Sequence, residues 1–196
     1  MEDGTTARQS ADAALAALIA RAGAAGAAPP VERWNPAECG ALDIVVGADG
    51  RWYYLGSPIG REPLVRLFAS ILRRDADGAY FLVTPVEKVA IRVEDAPFLA
   101  VELHAEGEGE ARRLTFRTNV GDVVVAGPDH PLRFATEAAT GGLKPYLSVR
   151  GRLEALATRA VAQEIAGLAE VGAHDGGRWY GVTSQGAFFP MAPVED

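Results

Sequence analysis

The sequence predicts an α+β protein of two related small domains, each a mostly antiparallel sheet packed on one main helix. Short alternating apolar segments bounded by Gly, Asp and Pro turns fill most of the chain, as is typical of strands joined by tight turns. A helical apolar stripe interrupts these strands once in each half. The tetrapeptide Gly-Arg-Trp-Tyr occurs at positions 50–53 and again at 177–180, which favours an internal duplication.

Residues 1–29 are predicted to form an Ala-rich leader helix followed by a linker. Ser10 is suited to cap a helix that runs to about Ala22, and residues 23–30 contain only Ala, Gly and Pro. Because the apolar face of this helix is made largely of alanine, we expect it to be weakly anchored. A helix that docks on a protein partner is the alternative.

Residues 30–95 are predicted to form the N-terminal α+β domain. A hairpin is expected from strands 42–46 and 51–55, because Gly47-Ala48-Asp49-Gly50 between them has good turn chemistry. Strands are also expected at 80–84 and 88–93. The clearest helix signal of the chain begins at Pro63 and places apolar residues at helical spacing: Leu64, Leu67, Phe68, Ile71 and Leu72.

Residues 96–196 are predicted to form the C-terminal α+β domain. Strands are expected at 98–105, 114–118, 123–126 and 132–134, and a final hairpin at 178–183 and 187–189. The longest helix is predicted from Pro145 to about Val171, because the apolar residues between them follow a helical period.

The order of elements in the two halves supports the duplication. A glycine turn and an aromatic strand follow the predicted helix of each half, so that Gly78, Tyr80 and Phe81 align with Gly177, Trp179 and Tyr180. The alternative is that aromatic strands after glycine turns are common in any β-rich protein.

The composition restricts the class of partner and the compartment. The chain has 196 residues, a net charge of −7 and 48% hydrophobic residues, so it can form a packed core but lacks the basic balance of a nucleic-acid-binding protein. No apolar segment approaches membrane-spanning length, so no membrane partner is expected. The single Cys39 suits a reducing compartment, and an acidic N-terminus is unlike a secretory signal. We therefore expect a cytoplasmic protein.

Five segments between about Pro30 and Pro193 occur in a characteristic order and spacing: Asp49-Gly50-Arg51-Trp52-Tyr53-Tyr54 with Ser57-Pro58-Ile59, Leu82-Val83-Thr84-Pro85-Val86-Glu87-Lys88, Phe116-Arg117-Thr118-Asn119-Val120-Gly121-Asp122, Pro145-Tyr146-Leu147-Ser148-Val149-Arg150 through Leu156, and Gly181-Val182-Thr183-Ser184 with Phe188-Phe189-Pro190. In these segments the chain resembles a family of uncharacterised bacterial proteins, the domain-of-unknown-function (DUF) family 1285. The resemblance implies a duplicated α+β core whose C-terminal half is similar to pleckstrin-homology-like folds. It also implies a pocket between the halves for a nucleotide-like molecule and a role in signal transduction. It implies no activity, because none is established for the family.

Polar side chains at strand ends and in turns are the candidates for binding a ligand. Hydroxyl, amide and carboxylate groups suit the polar edge of a nucleotide, and Lys or Arg suits an anionic group. The structural alternatives are a turn with a solvated Glu–Lys pair, side-chain-capped turns and an inter-domain salt bridge. The candidate ligand-binding residues are Arg61, Thr84, Lys88, Asn119, Asp122, Arg133 and Arg150.

No stretch of the chain predicts a reaction or a cofactor. The nucleotide-binding glycine motifs are absent, and His104, His130 and His174 lack the spacing of metal ligands, so we expect no cofactor, no metal and no catalytic residue. Asp129 and His130 could join Ser148, Ser184 or Asp122 in a hydrolase triad, although the Gly-x-Ser-x-Gly signature is missing.

The expected function is therefore that of a non-catalytic regulator that binds a small anionic or nucleotide-like ligand between its two domains, since pockets often occur at domain interfaces. A protein-interaction adaptor that uses exposed sheet edges or the N-terminal helix is the alternative. A hydrolase that uses Asp129 and His130 is the least favoured.

Overall fold

Three α-helices and mostly antiparallel sheets make up the part of this α+β protein that the computed structural model describes, residues 3–24, 29–138 and 140–195. The chain divides into two units, Met1–Asp95 and Ala96–Asp196, as a two-domain organisation requires. Within the described ranges, no helix has both the length and the apolar character needed to cross a membrane.

The N-terminal unit contains one six-stranded sheet built from two three-stranded antiparallel meanders. The meanders join through a parallel pair at the centre, so the strand order is β3-β2-β1-β6-β5-β4. The elements are α1 (Asp3–Ala24), β1 (Glu38–Val46), β2 (Trp52–Tyr54), β3 (Ser57–Pro58), α2 (Glu62–Ser70), β4 (Leu72–Arg74), β5 (Tyr80–Val83) and β6 (Lys88–Val93).

Helix α2 packs on this sheet through the apolar stripe that the sequence predicts. Phe68 is completely buried and its ring stacks on Trp52 of β2, with ring centroids 6.1 Å apart. The sequence predicts that this helix continues to the Asp75-Ala76-Asp77-Gly78 turn, but it ends at Ser70, because Leu72 begins β4 and pairs with Leu82 of β5. Leu72 is still fully buried, so its apolar character is explained by a strand rather than by a further helical turn.

Helix α1 is longer and better anchored than the sequence predicts. The side chains of Leu18 and Ala22 are 1% and 0% exposed. The Arg21 guanidinium lies 2.6 Å from the Glu87 carboxylate, and the Tyr54 hydroxyl donates to Asp12 at 3.2 Å. The expectation of a weakly anchored leader was wrong, because two well-placed side chains and two polar contacts compensate for the many alanines. Part of the predicted linker, residues 25–28, lies outside the described residues.

Arg73, Asp75 and Lys88 form a cluster of charges, the Arg73 cluster, that attaches the chain before β1 to the sheet. Arg73 is 7% exposed, and its guanidinium donates to the Val31 carbonyl at 3.0 Å, the Trp34 carbonyl at 2.6 Å and Asp75 Oδ1 at 2.7 Å. Burial by itself would raise the pKa of Asp75, but hydrogen bonds from Arg73 and Lys88 outweigh it and hold that pKa below its ordinary value.

The C-terminal unit contains a six-stranded and a three-stranded sheet. Their strand orders are β10-β11-β12-β7-β8-β9, with β7 and β12 parallel, and β13-β14-β15. The elements are β7 (Phe98–Glu106), β8 (Arg113–Thr118), β9 (Val123–Val125), β10 (Leu132–Thr136), β11 (Leu143–Arg150), β12 (Leu153–Ala157), α3 (Arg159–Gly167), β13 (Glu170–His174), β14 (Gly177–Ser184) and β15 (Ala187–Pro193).

The long helix predicted from Pro145 to Val171 is wrong, because this stretch forms β11, β12, the nine-residue α3 and β13. Gly151 provides the reason, since its φ of +52° makes the turn that sends β12 back along β11. The side chains of Tyr146, Leu147 and Val149 are buried in the sheet, and the helical spacing of the apolar residues was coincidental. Helix α3 begins only after Thr158, whose hydroxyl accepts from the Val161 N–H.

The six-stranded sheet of this unit curls strongly. Strands β9 and β11 are four places apart in the sheet order, which corresponds to about 19 Å in a flat sheet. Yet Asp122, directly before β9, contacts Arg150 at the end of β11. The three-stranded sheet is attached through Ser184, whose buried hydroxyl accepts from the Leu114 N–H and donates to the Ala126 carbonyl.

Candidate functional site

A polar cavity of about 480 Å³ lies in the C-terminal unit where the curled sheet brings β9 close to the end of β11. Its walls come from β9 and the connections on either side of it, from β11 and from the β14–β15 turn. The residues that line the cavity are Asp122, Val123, Val124, Val125, Asp129, His130, Val149, Arg150 and Gln185. Two of the residues predicted to bind a ligand, Asp122 and Arg150, therefore meet here.

Arg150 is the principal cation of this cavity. Its guanidinium lies 4.9 Å from the centre of the Phe98 ring, which is fully buried, and its Nη1 donates to Asp122 Oδ2 at 2.7 Å. Both charged side chains are about one-third exposed, at 34% each. The cation–π contact with the ring and the bond to Asp122 restrain the guanidinium, and a planar fork of donors can hold two oxygens of one anion. Arg150 lies at a strand end, not in the first turns of a helix as predicted.

His130 is held in one tautomer. Its Nδ1 lies 3.1 Å from the Ser148 carbonyl oxygen, and a carbonyl can only accept, so Nδ1 carries the proton and Nε2 is an acceptor in the neutral ring. The Ser148 contact is through its backbone, and the Ser184 hydroxyl is committed to Leu114 and Ala126. These contacts do not give either serine the hydrogen bond to an imidazole that a nucleophile needs.

Gln185 is the lining residue that the sequence analysis missed. It sits at the tip of the β14–β15 hairpin with a φ of +49°, and its N–H donates to the Arg112 carbonyl at 2.8 Å. The Gln185 side-chain amide lies against Gly127 and leaves no room for a side chain at that position, because a Cβ on residue 127 would be 2.3 Å from Gln185 Oε1. The sequence predicts a hairpin from strands 178–183 and 187–189, but only the folded chain shows that its turn reaches the cavity.

The other two predicted residues of this unit have structural contacts. Asn119 Oδ1 accepts from the Leu99 N–H of β7 at 3.0 Å, so this bond joins the turn to a distant strand and is not the local cap that was expected. Arg133 lies on β10, where its guanidinium is 3.9 Å from the centre of the Tyr146 ring and donates to both oxygens of Glu154, at 2.5 and 2.8 Å. Neither side chain lines the cavity of Asp122 and Arg150.

The three predicted residues of the N-terminal unit do not gather at a described cavity. Thr84 is fully buried and its hydroxyl accepts from the Glu87 N–H at 3.2 Å. The Lys88 ammonium is 3.1 Å from Asp75 and 4.1 Å from the centre of the Phe81 ring, so the Glu87–Lys88 pair considered as an alternative does not form. Arg61 is exposed in front of α2, and its side chain does not cap the helix.

The charges of the cavity suit an anionic ligand that replaces one of the carboxylates of the cavity. Asp122 and Asp129 add two negative charges to the one positive charge of Arg150, so an extra anion is repelled unless it replaces Asp122. Among the described residues, no group of three or more His, Cys, Asp and Glu side chains is arranged to hold a metal ion. The arrangement offers recognition by a fixed guanidinium, an imidazole acceptor and a side-chain amide.

Two crystal structures are similar to this chain. A DUF1285 family protein from Silicibacter pomeroyi DSS-3 has a TM-score of 0.82 and 46% sequence identity, over 90% of this chain and 95% of that chain. A DUF1285 family protein from Shewanella baltica OS155 has a TM-score of 0.47 and 31% identity, over 61% of this chain and 86% of that chain. No curated protein matches the chain.

Two family models match successive parts of the sequence. Residues 29–96 match the domain of unknown function (DUF1285), N-terminal domain, and residues 97–191 match the protein of unknown function (DUF1285), C-terminal domain. Helix α1 precedes the matched region. These matches, together with the likeness to the Silicibacter protein, confirm the resemblance seen in the sequence. The chain belongs to the DUF1285 family.

Proposed function

We propose that this protein is a non-catalytic regulator that binds a small anion, such as a phosphate or a nucleotide-like molecule, at Arg150. The observation that carries the proposal is the contact of Arg150 with Asp122 inside a cavity of about 480 Å³. This volume lies within the range of small-molecule sites. Signal transduction in the cytoplasm is the setting we propose, and the exposed free thiol of Cys39 agrees with a reducing compartment.

The regulatory step in this proposal is an exchange of carboxylate for ligand. A phosphate or carboxylate can accept from two nitrogens of one guanidinium, and it can therefore compete with Asp122 for Arg150. The ligand would displace Asp122 from Arg150 and thereby release the side chain of the turn between β8 and β9. Ligand occupancy would then change a surface loop without any bond being made or broken.

Thermal unfolding with inorganic phosphate and with AMP tests this proposal. A ligand at ten times its Kd adds about 1.4 kcal/mol, or several degrees in Tm for a unit of this size. Asp122→Asn should increase the shift at a given ligand concentration, because it removes the competing charge. Arg150→Gln should abolish the shift.

Arg133→Gln is the matched control, because Arg133 also stacks on an aromatic ring and pairs with a carboxylate, but outside the cavity. It should leave the ligand-induced shift unchanged. If Arg150→Gln and Arg133→Gln respond to ligand as the unaltered protein does, or if neither probe shifts the Tm at millimolar concentration, the proposal fails. A shift with AMP but not with phosphate would show that the base is recognised.

An adaptor function is the second candidate, and the three-stranded sheet favours it. Val171 on the edge strand β13 and Tyr180 on β14 are direct cross-strand neighbours, and they are 46% and 47% exposed. An edge strand with exposed apolar side chains on it and on the next strand favours contact with another chain. Val171→Lys should then abolish a co-purifying partner, whereas Val86→Lys, at another exposed valine, should not. Retention of the partner in both variants would count against this sheet.

We also propose that the two halves arose by duplication and that the C-terminal half is pleckstrin-homology-like. Each unit has two antiparallel meanders joined by a central parallel pair, which supports duplication. The repeated Gly-Arg-Trp-Tyr motif favours a different alignment, because it falls on β2 of the six-stranded sheet and on β14 of the three-stranded one. Superposing residues 38–93 on 98–157 in a crystal structure decides between the two alignments, since equivalent strands that fail to superpose in space would refute a duplication of the sheets.

A further inference from the structure

A second cavity, the α3 groove, runs along helix α3 in the C-terminal unit and has a volume of about 650 Å³. One wall is the face of α3 that carries Ala162 and Ala166, one helical turn apart. Strands β11 and β12 contribute Leu143 and Leu156 to the opposite wall. Because the two alanines have no atoms beyond Cβ, the space between the helix and the strands stays open.

The lining of the α3 groove is mostly apolar, with charged groups at its rim. The cations are Arg159, at the start of α3, and Lys144 on β11, and the anion is Glu137. The Thr140 hydroxyl donates to the Glu137 carboxylate at 2.5 Å. Arg159 is exposed, and no other residue in the described part of the chain forms an ion pair with it. The rim therefore carries a net positive charge next to an apolar wall.

We propose that the α3 groove binds an amphipathic carboxylate with an unbranched hydrocarbon tail. The tail would lie along Ala162 and Ala166, and the carboxylate would accept hydrogen bonds from Arg159. The distance from Arg159 to Ala166 along the helix is about 10 Å at 1.5 Å per residue, which a medium-length chain such as decanoate can span. A mostly apolar cavity with a few polar groups at one end is typical of small-molecule sites.

Titration calorimetry with hexanoate, octanoate and decanoate tests this proposal. Each methylene that enters the groove should tighten binding about fourfold, so the affinity should rise steadily across the series. Decanol keeps the tail but lacks the charge, so it should bind more weakly than decanoate. The preference for decanoate over decanol should disappear in Arg159→Gln.

Ala162→Leu places a larger side chain in the α3 groove and should weaken decanoate binding at least tenfold. Ala160→Leu is the matched control, because Ala160 lies on the same helix, is exposed and does not line the groove. Ala166→Leu provides a second test if Ala162→Leu does not fold. The proposal is overturned if the unaltered protein binds none of the three acids below millimolar concentration, or if Ala160→Leu weakens binding as much as Ala162→Leu.

The α3 groove shares no lining residue with the cavity of Arg150, so the two proposals can be tested separately. Arg150→Gln should leave decanoate binding unchanged. Ala162→Leu should leave the thermal response to phosphate and AMP unchanged. Loss of decanoate binding in Arg150→Gln would show that the acid occupies the other cavity, and would overturn the assignment to the α3 groove.

Discussion

Replacing Arg73 by Met should be the most destabilising single change at a charged residue of the N-terminal unit. The change leaves the Val31 and Trp34 carbonyls without the guanidinium that binds them, and Asp75 retains only Lys88. A hydrogen bond to a charged group contributes about 1.5–3 kcal/mol, and breaking a buried ion pair from one side costs about 3–5 kcal/mol. Since Asp75 keeps one partner, we expect a loss of about 3–4 kcal/mol.

Urea unfolding followed by circular dichroism measures this loss. With a slope of about 1–3 kcal/mol per molar urea, the midpoint of the N-terminal unit should fall by about 1–4 M. Arg66→Met is the control, because Arg66 forms an exposed pair with Glu62 one turn away on α2, and its removal should cost less than about 0.5 kcal/mol. Equal losses in the two variants would refute the reasoning that Arg73 attaches the segment before β1.

Three further predictions concern pH, packing and the first helix. The pKa of Asp75 is lowered in the folded protein, so its carboxylate stabilises the fold above its ordinary pKa of 3.8, and this stability is lost as the pH falls further. The difference in unfolding free energy between the unaltered protein and Asp75→Asn should therefore shrink from pH 7 to pH 3. A difference that stays constant over this range would contradict the prediction. Gly172→Ala should cost about 1–3 kcal/mol in urea unfolding, because its Cβ would lie 2.6 Å from the Phe188 ring, and Phe188→Leu should recover part of that loss. Leu18→Ala should cost about 2–4 kcal/mol, whereas a loss below about 0.5 kcal/mol would mean that α1 is not packed as described.

The packing of Phe188 explains two of the three glycines in the strands of the three-stranded sheet, Gly172 and Gly181. A Cβ at Gly181 would be 2.4 Å from the Phe189 carbonyl oxygen and 2.5 Å from the Phe188 ring, and Gly172 faces the same ring. A glycine weakens a strand because it has no side chain to pack, but an aromatic ring that packs on the glycine from a neighbouring strand replaces that missing contact. The sequence contains both the glycines and the aromatic residues, and only the fold shows that they meet.

The positions of most strands and of one helix follow from the sequence by itself. The strands around residues 80–83, 88–93, 98–106 and 113–118 have clear alternation and strong turn residues, so local chemistry decides them. Helix α2 has an unbroken stripe of large apolar residues after Pro63. The family membership also follows, because motifs in a fixed order are a property of the sequence.

The candidate site could be predicted only in part. Asp122 and Arg150 were recognised as polar groups at turns and element ends, but the prediction placed Arg150 on a helix and grouped it with Arg61, Thr84 and Lys88. Gln185 was missed because a hairpin tip carries no local sign of what it faces. Pairing across a sheet is a long-range property that single side chains do not encode.

The tertiary structure alone decided the path of the chain between residues 143 and 174. The apolar residues there are spaced for a helix and for strands alike, and a short apolar run cannot be assigned by period alone. Pairing of β11 with β10 and β12 settles the choice, because it satisfies the backbone and buries Tyr146, Leu147 and Val149 together. The same pairing brings Arg150 to Asp122, so the candidate site exists only because the sheet curls. Local sequence determines which elements can form, and the burial of distant partners determines which of them do.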